Sequence, residues 1–405
     1  MPGASLSRRQ WLECLLALTV AGGIVAIGAL AQGGGEPRPS SRFTVEMTIK
    51  EMAPRLEVTG KSLARELGLP LEAPKNTPVK ALGVTAAQLD HATGHLLGHR
   101  DSMLKYYFFA ALCLLGWAYL VRLGRPDRSA LAERKSWYPR WPYITVLALA
   151  VVICGFVLGK SPNPMEGAVK VFKSMVGLYP SVADKVAAFA FFAVLAVVGN
   201  KLICGWVCPF GALQELIYHL PLFKILKRRK IPFWVSNGIR IAVFVVMLGV
   251  LFGVVGGQSQ KGFVLYHYVN PFNLFNFDIE SVSVGVTIVA ALVLSLGFYR
   301  PFCQFICPFG LLSWLLERLS IFRVTIDRDR CIECGACARA CPLDAAADRV
   351  AGKVMPADCF SCARCLNVCP TDAIQYRLVG TKLRVVANLD KSGAESTEST
   401  GGARP

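Results

Sequence analysis

Two cysteine-rich runs near the carboxyl end constrain the fold of this chain more than any other feature. Residues 331–342 read CIECGACARACP and residues 359–370 read CFSCARCLNVCP, so both follow C-x2-C-x2-C-x3-C-P. In this pattern three cysteines of a run bind one [4Fe–4S] cluster and the fourth binds the other cluster. Paired CxxC sites also bind zinc, but two four-cysteine runs that end in CP do not have zinc spacing. The sequence therefore predicts a C-terminal α+β domain that resembles bacterial two-cluster ferredoxins.

The crossed pattern predicts the ligands of both clusters. The ligands of cluster I are Cys331, Cys334, Cys337 and Cys369. The ligands of cluster II are Cys359, Cys362, Cys365 and Cys341.

The rest of the chain has the composition of a membrane protein. Hydrophobic residues make up 54% and charged residues 18% of the 405 residues, whereas soluble domains average about 45–50% and about 25%. Six stretches approach the about 20 apolar residues that a spanning helix needs: 11–31, 104–121, 143–159, 186–203, 239–257 and 283–299. The sequence predicts an α-helical polytopic membrane protein. Its net charge of +17 then belongs to cytoplasmic loops, and no nucleic-acid partner is needed.

The distribution of lysine and arginine predicts the orientation. The loops 122–142 and 200–234 hold twelve such residues, and the loops 160–185 and 256–282 hold five. Because positive loops stay inside, the ferredoxin domain is predicted in the cytoplasm and residues 32–103 in the periplasm of a bacterial inner membrane. Arg8 and Arg9 fit either a twin-arginine export signal or an uncleaved anchor, and the anchor is preferred.

The predicted domains follow from these boundaries. They are an N-terminal anchor (1–31), a small helical periplasmic segment (32–103), a second spanning helix (104–121), a four-helix membrane core (135–322), the ferredoxin domain (323–378) and a disordered tail (379–405). In the periplasmic segment Thr48, Ser62 and Thr85 are predicted helix N-caps.

A second cysteine motif occurs twice, 99 residues apart. Residues 204–211 read CGWVCPFG and residues 303–310 read CQFICPFG, which indicates two related halves. Proline after the second cysteine predicts that Cys208 and Cys307 stand at helix N-termini. Together with Cys204 and Cys303 they offer four sulfurs for a redox site or a further metal, and the alternative is plain packing. Spacing alone leaves iron–sulfur, copper and no ligand open.

These motifs together resemble the NosR/NapH-type membrane polyferredoxins over residues 135–377. The resemblance implies a four-helix core, two CxxxCP motifs and a double-[4Fe–4S] domain. It also implies passage of electrons from quinol toward periplasmic reductases, and some relatives act in the maturation of copper enzymes. The chain departs from NosR in lacking a flavin-binding domain, and from NapH in its extra helix pair and exported segment. No haem, flavin or NAD motif is evident.

Candidate quinol residues lie in the predicted external loops. His267, between Tyr266 and Tyr268, and Glu166 are candidate proton acceptors. The alternative, which we prefer, places the two tyrosines in an aromatic interface belt. A metal site is a weaker interpretation of the histidines that precede Met103, which are His91, His95 and His99. Cys14, Cys113 and Cys154 are predicted packing residues.

The sequence thus predicts an electron-transfer protein, an oxidoreductase component of the quinol dehydrogenase type. Its predicted partners are the quinone pool, a periplasmic reductase, and a cytochrome or ferredoxin. The competing hypothesis is a maturation factor whose CxxxCP cysteines reduce or bind copper, and a third is a docking scaffold. The direction of electron flow stays open.

Overall fold

The computed structural model describes residues 43–379, apart from 57, 59, 71–72, 101–103, 125–141, 159–162, 178–181, 221–226, 228–229, 256–263, 278 and 280. Most of the described part is helical, and it ends in one small sheet. The predicted anchor 1–31, and the predicted tail beyond residue 379, lie outside this part.

Three helices form a unit with a core of its own near the start. They are α1 (Ile49–Arg55), α2 (Gly60–Glu66) and α3 (Ala86–Arg100). Thr48 and Glu51 exchange backbone-to-side-chain hydrogen bonds of 3.0 and 3.2 Å, and Thr85 pairs with Gln88 in the same way. These reciprocal bonds are capping boxes, so two predicted N-caps are confirmed. The prediction for Ser62 is wrong, because α2 already begins at Gly60.

The central part is a set of apolar helices interrupted at the cysteine motifs. In chain order these helices are α4 (Leu104–Leu123), α5 (Pro142–Leu149, continued as a π-helix over Ala150–Val157), α6 (Pro164–Met175), α7 (Ala183–Gly199), α8 (Pro209–His219), α9 (Phe233–Leu251), α10 (Leu265–Tyr268), α11 (Val282–Ser295), α12 (Pro301–Phe305) and α13 (Pro308–Leu316).

Two helices in the described part are long and apolar enough to cross a membrane. They are Tyr106–Leu123, with a mean hydropathy of 1.5, and Phe233–Leu251, with 1.9. The segments Pro142–Val157 and Val282–Ser295 are apolar but shorter. The predicted spans 104–121 and 239–257 therefore correspond to helices of sufficient length, and the six-span topology stays a prediction.

The two halves share more than the cysteine motif. In each half a helical segment begins at an Asn-Pro pair that follows an apolar helix or loop: α6 at Asn163-Pro164, and a 3-10 helix (Pro271–Asn276) at Asn270-Pro271. Both asparagines are buried, and their side chains accept backbone N–H groups of the following turn. These segments pack into the core, so the connections that carry them are not plain surface loops.

The C-terminal domain is the predicted α+β unit. Strand β1 (Phe322–Ile326) pairs antiparallel with β2 (Ile374–Leu378), with Phe322 opposite Leu378. Between the strands lie α14 (Ala336–Ala340), α15 (Ala345–Val350) and α16 (Arg364–Val368). Its buried side chains join those of the central helices in one hydrophobic core.

Helix α4 ends directly against strand β2. A Cβ on Gly124 would lie 2.6 Å from the backbone N and O of Tyr376. We expect Gly124→Ala to separate α4 from β2 and to destabilise the protein by about 1–3 kcal/mol, as overpacking does. A lower unfolding midpoint of the purified protein in detergent checks this. The control is Gly238→Ala within α9, where an added Cβ meets no atom within 4 Å; equal midpoints for the two variants would contradict the prediction.

Candidate functional site

The two ferredoxin loops adopt the same backbone conformation. Glu333 and Gly335 in the first run, and Ser361 and Ala363 in the second, all have positive φ, between 49° and 68°. These positions match across the two runs, 28 residues apart. Non-glycine residues rarely take this conformation. Because it occurs at equivalent positions, the two loops have the same backbone structure and are suited to bind the same kind of group. In each loop it leads into a short helix, α14 or α16.

The predicted ligands of cluster II lie together. Burial raises the pKa of the Cys365 thiol well above its usual value, and the neighbouring thiols of Cys359, Cys341 and Cys362 add to the increase. One cavity is lined by all four of these cysteines. The structure therefore brings the cysteine from the first run to the three from the second, as the crossed pattern predicts.

The ligands of cluster I are also crossed. Burial raises the pKa of Cys337, and the thiols of Cys369 and Cys331 raise it further. Cys369 comes from the second run and the other two from the first. Cys334 lies exposed on the same loop. The donor set of each site is four cysteine sulfurs, which is the set that a [4Fe–4S] cluster requires.

The two CxxxCP motifs have the predicted local structure. Cys208 and Cys307 are the N-cap residues of α8 and α13, and proline is the first residue of each helix. Cys204 lies in a π-helical turn (Ile203–Val207) and Cys303 in α12. All four cysteines are buried or nearly so. Cys113 and Cys154 are buried among apolar side chains, as predicted for packing residues.

No group of three or more His, Cys, Asp or Glu residues converges on a single metal ion in the described part of the chain. This holds for the ferredoxin cysteines as well. Each cysteine of a cubane cluster binds a different iron, so its ligands need not meet at one point.

A buried network of charges connects the ferredoxin domain to the second CxxxCP motif. Asp358, next to Cys359, pairs with Lys201, and its other carboxylate oxygen lies 3.0 Å from Arg240. All three side chains are at most 2% exposed. Lys201 also donates to the Gly310 carbonyl, 3.1 Å away, and Arg240 to the Cys303 carbonyl, 3.2 Å away.

A second carboxylate completes this network. Glu215 in α8 pairs with Arg300 at 2.8 Å and with Arg364 of the cluster II loop. Burial alone would raise the pKa of Glu215, but Arg364 and Arg300 lower it to about 2. Arg300 donates to the carbonyls of Cys204 and Gly205.

Uncharged contacts bring the same two loops into direct apposition. Ser361 donates to the Asn200 carbonyl at 2.6 Å and accepts from its amide at 3.2 Å, and the indole N–H of Trp206 donates to the Ser361 carbonyl at 3.0 Å. A Cβ at Gly205 would overlap the carbonyl oxygen of Phe360. The cluster II loop therefore touches the CxxxCP motif with no room for a side chain between them.

Sequence reasoning missed this charged network. A signal existed, because Lys201 and Arg300 end two apolar stretches and Arg240 lies within a third. Ionisable residues in such stretches are costly and are functional candidates by default.

The candidate quinol residues lie on one helix or against it. His267 Nε2 is 3.0 Å from Lys173 Nζ, and Glu166 lies 3.3 Å from Lys170. Glu166, Lys170 and Lys173 share one face of α6, at spacings of four and three residues. His91 is exposed on α3, whereas the side chains of His95 and His99 lie outside the described part.

The interface-belt interpretation of Tyr266 is wrong. Its side chain is 1% exposed and its hydroxyl donates to the Ile306 carbonyl, 3.0 Å away. It also lies close enough to the Cys307 thiol and Arg240 to interact electrostatically with both. Sequence alone did not show that this segment folds back onto the second CxxxCP motif. Tyr268, by contrast, is 46% exposed.

Three family models match the chain. A 4Fe-4S binding domain matches residues 186–232, and 4Fe-4S dicluster domains match residues 324–376 and 301–345. The chain is 28% identical over 199 residues to the putative electron transport protein YccM of Escherichia coli, covering 46% of this chain and 54% of YccM. It is 26% identical over 239 residues to the ferredoxin-type protein NapH of Haemophilus influenzae, covering 56% of this chain and 77% of NapH.

A further relative is the regulatory protein NosR of Pseudomonas aeruginosa, 31% identical over 160 residues, or 38% of this chain. Together with the three models, these relatives support a resemblance of the chain to the NosR/NapH-type polyferredoxins. The chain spans about half of the length of YccM and 22% of the length of NosR. No solved structure matches at a significant level. As the three models indicate, this polyferredoxin binds [4Fe–4S] clusters.

The buried pair around Asp358 gives a stability prediction. Asp358→Asn leaves Lys201 and Arg240 buried without their carboxylate, and breaking such a pair costs about 3–5 kcal/mol. We expect a clearly lower unfolding midpoint. The control is Glu46→Gln, which breaks the exposed Glu46–Lys80 pair and is expected to cost about 1 kcal/mol or less. A midpoint for Asp358→Asn that equals the control's would show that the network does not hold the two parts together.

Proposed function

We propose that this polyferredoxin conducts electrons between a quinol site in its helical core and its two-cluster domain, as a quinol dehydrogenase component. The observation that carries this proposal is the position of the CxxxCP motifs. Tyr266 contacts them from one direction, and the cluster II loop contacts them from another.

The contacts form a continuous series. His267 adjoins Tyr266, and the Tyr266 hydroxyl bonds to the residue before Cys307. The cysteines of the two motifs lie close enough together to interact electrostatically. Gly205, within the first motif, touches Phe360, which directly follows Cys359 of cluster II. Cluster II in turn lies beside cluster I, because Cys337 interacts with Cys365.

The series addresses the main difficulty of the sequence-based prediction. That prediction places the quinol residues outside and the clusters inside, about 30 Å of hydrocarbon apart. A core segment that folds back onto the CxxxCP motif shortens the path that lacks a redox group. We therefore propose the multi-pass topology with the predicted boundaries, with the ferredoxin domain in the cytoplasm and His267 on the opposite side.

Quinol oxidation releases two protons with its two electrons, so the site needs proton acceptors. His267, exposed and 3.0 Å from Lys173, is suited to accept one because a neutral imidazole titrates near physiological pH. Glu166, paired with Lys170, is the second candidate. When bound, the clusters supply the one-electron acceptors, and these side chains supply proton transfer and orientation.

The electron acceptor is proposed by analogy. The ferredoxin-type protein NapH and NosR are relatives, and the family resemblance implies a periplasmic reductase or a cytochrome or ferredoxin as partner.

The test mixes anaerobically purified protein with excess menaquinol analogue and follows cluster reduction by low-temperature EPR. We expect fast, inhibitor-sensitive reduction, slowed about 10²-fold in His267→Gln, because general base catalysis contributes about 10²–10⁴-fold. His91→Gln, an exposed histidine outside the core, should react at the wild-type rate.

Two outcomes would count against the proposal. Wild-type rates in both His267→Gln and Glu166→Gln would remove the proton acceptors named here. No reduction by quinol, with a normal dithionite signal, would reject the quinol dehydrogenase role and favour the maturation hypothesis. Under that hypothesis Cys208→Ser and Cys307→Ser abolish metallation of a partner enzyme.

A further inference from the structure

Each sulfur of the two CxxxCP motifs has a hydrogen-bond donor within reach. The backbone N–H of Gly310 donates to Cys307 Sγ at 3.4 Å, and the N–H of Gly211 donates to the Cys208 sulfur. The side-chain amide of Gln214 donates to Cys303 Sγ at 3.4 Å. The Cys204 sulfur lies within hydrogen-bonding reach of the Ser313 hydroxyl, which donates to the Gly310 carbonyl at 3.2 Å and whose proton can rotate toward the sulfur.

The hydrogen-bond donors lie at equivalent positions of the internal repeat. Gly211 and Gly310 are 99 residues apart, and so are Gln214 and Ser313. The backbone N–H of each glycine donates to a cysteine of its own half. The two side chains instead lie against a cysteine of the opposite half: Gln214 of the first half contacts Cys303, and Ser313 of the second half lies beside Cys204. The four sulfurs are therefore parts of one site built by both halves.

The donors match thiolates rather than thiols. A neutral thiol is a weak acceptor, whereas hydrogen bonds to cysteinate sulfurs stabilise and tune iron–sulfur clusters. Four buried neutral thiols would not require four directed donors. The same residues placed around a cluster would satisfy its ligand sulfurs.

The buried charges point the same way. Five cations, Lys201, Arg240, Arg300, Arg349 and Arg364, face three carboxylates, Glu215, Glu317 and Asp358. Excess buried positive charge is costly unless an anion compensates it. Three of the cations donate to backbone carbonyls of the CxxxCP loops, with Arg300 and Arg240 bound to the carbonyls of Cys204 and Cys303. The excess thus fits anionic centres on both sides of the network, at cluster II and at the CxxxCP site.

The number of cysteines decides which residues belong together. The family model for a 4Fe-4S binding domain covers residues 186–232, where Cys204 and Cys208 are the only cysteines. Two cysteines cannot supply four ligands, so the remaining pair must come from elsewhere. Cys303 and Cys307, held against them by the crossed donors, complete the set.

We propose that Cys204, Cys208, Cys303 and Cys307 together bind a third [4Fe–4S] cluster at the interface of the two halves. It lies between Tyr266 and the cluster II loop. The inference deepens the proposed function and rests on it for the direction of electron transfer only. The presence of the cluster is tested without quinol.

The test counts iron and acid-labile sulfide in anaerobically purified full-length protein with its clusters intact. Three [4Fe–4S] clusters give about 12 irons per chain and two give about 8. Cys204→Ser combined with Cys303→Ser is expected to fall to about 8 and to keep the EPR signals of clusters I and II, which also shows that the variant has folded. Cys113→Ser combined with Cys154→Ser, the buried packing cysteines, is the matched control and should keep about 12.

A second variant tests the site without removing a ligand. Gln214→Leu removes the donor to Cys303, and we expect the midpoint potential of one cluster only to become more negative in a redox titration, with the iron content unchanged. About 8 irons in the wild type, or about 10, would overturn the inference, the second value because it indicates a two-iron centre. Twelve irons with no reduction by quinol would leave the third cluster in place and reject the quinol role alone.

Discussion

The rest of the structure depends on the buried ion pairs of two carboxylates, Asp358 and Glu215. Each carboxylate is buried and binds two cations, and three of the four pairings link the ferredoxin domain to the helical core. A buried charge without its partner is far more costly than a missing apolar contact. The two parts are therefore fixed in one relative position. For a relay this is an advantage, since electrons pass without a docking step between diffusing proteins.

The network also brings two kinds of cysteine site into contact. Asp358 precedes Cys359 of cluster II, and its partners Lys201 and Arg240 bind carbonyls of the second CxxxCP segment. Gly205 then lies directly against Phe360. The same cations thus stabilise both loops and lie near both candidate metal sites. Charges in this position also influence the reduction potentials of clusters, because potentials respond to hydrogen bonding and local electrostatics.

Sequence reasoning is strongest for features that depend on local pattern. Proline after Cys208 and Cys307 predicts their N-cap positions, and the structure confirms them. Cysteine spacing predicts the crossed ligand sets, and the structure brings cysteines of the two runs together, whereas the ligand assignment itself stays a prediction. Long-range placement was not readable in the same way. Tyr266 has the pattern of an aromatic belt residue, and only packing shows that its segment folds back onto Ile306. The charged network was partly readable, since Arg240 interrupts an apolar stretch, but its partner Asp358 is 118 positions away.

The internal repeat separates the residues that surround the four CxxxCP cysteines from those that contact the ferredoxin domain. The positions that donate hydrogen bonds to the cysteine sulfurs correspond in the two halves. They hold either the same residue or, as at Gln214 and Ser313, two different hydrogen-bond donors. The next position breaks the symmetry. Glu215 pairs with Arg364, whereas its counterpart Trp314 donates to the Pro356 carbonyl at 3.1 Å. A two-fold core cannot present the same surface twice to a single domain. The departures from symmetry therefore lie where the ferredoxin domain is bound, and the symmetric residues lie where the four cysteines meet.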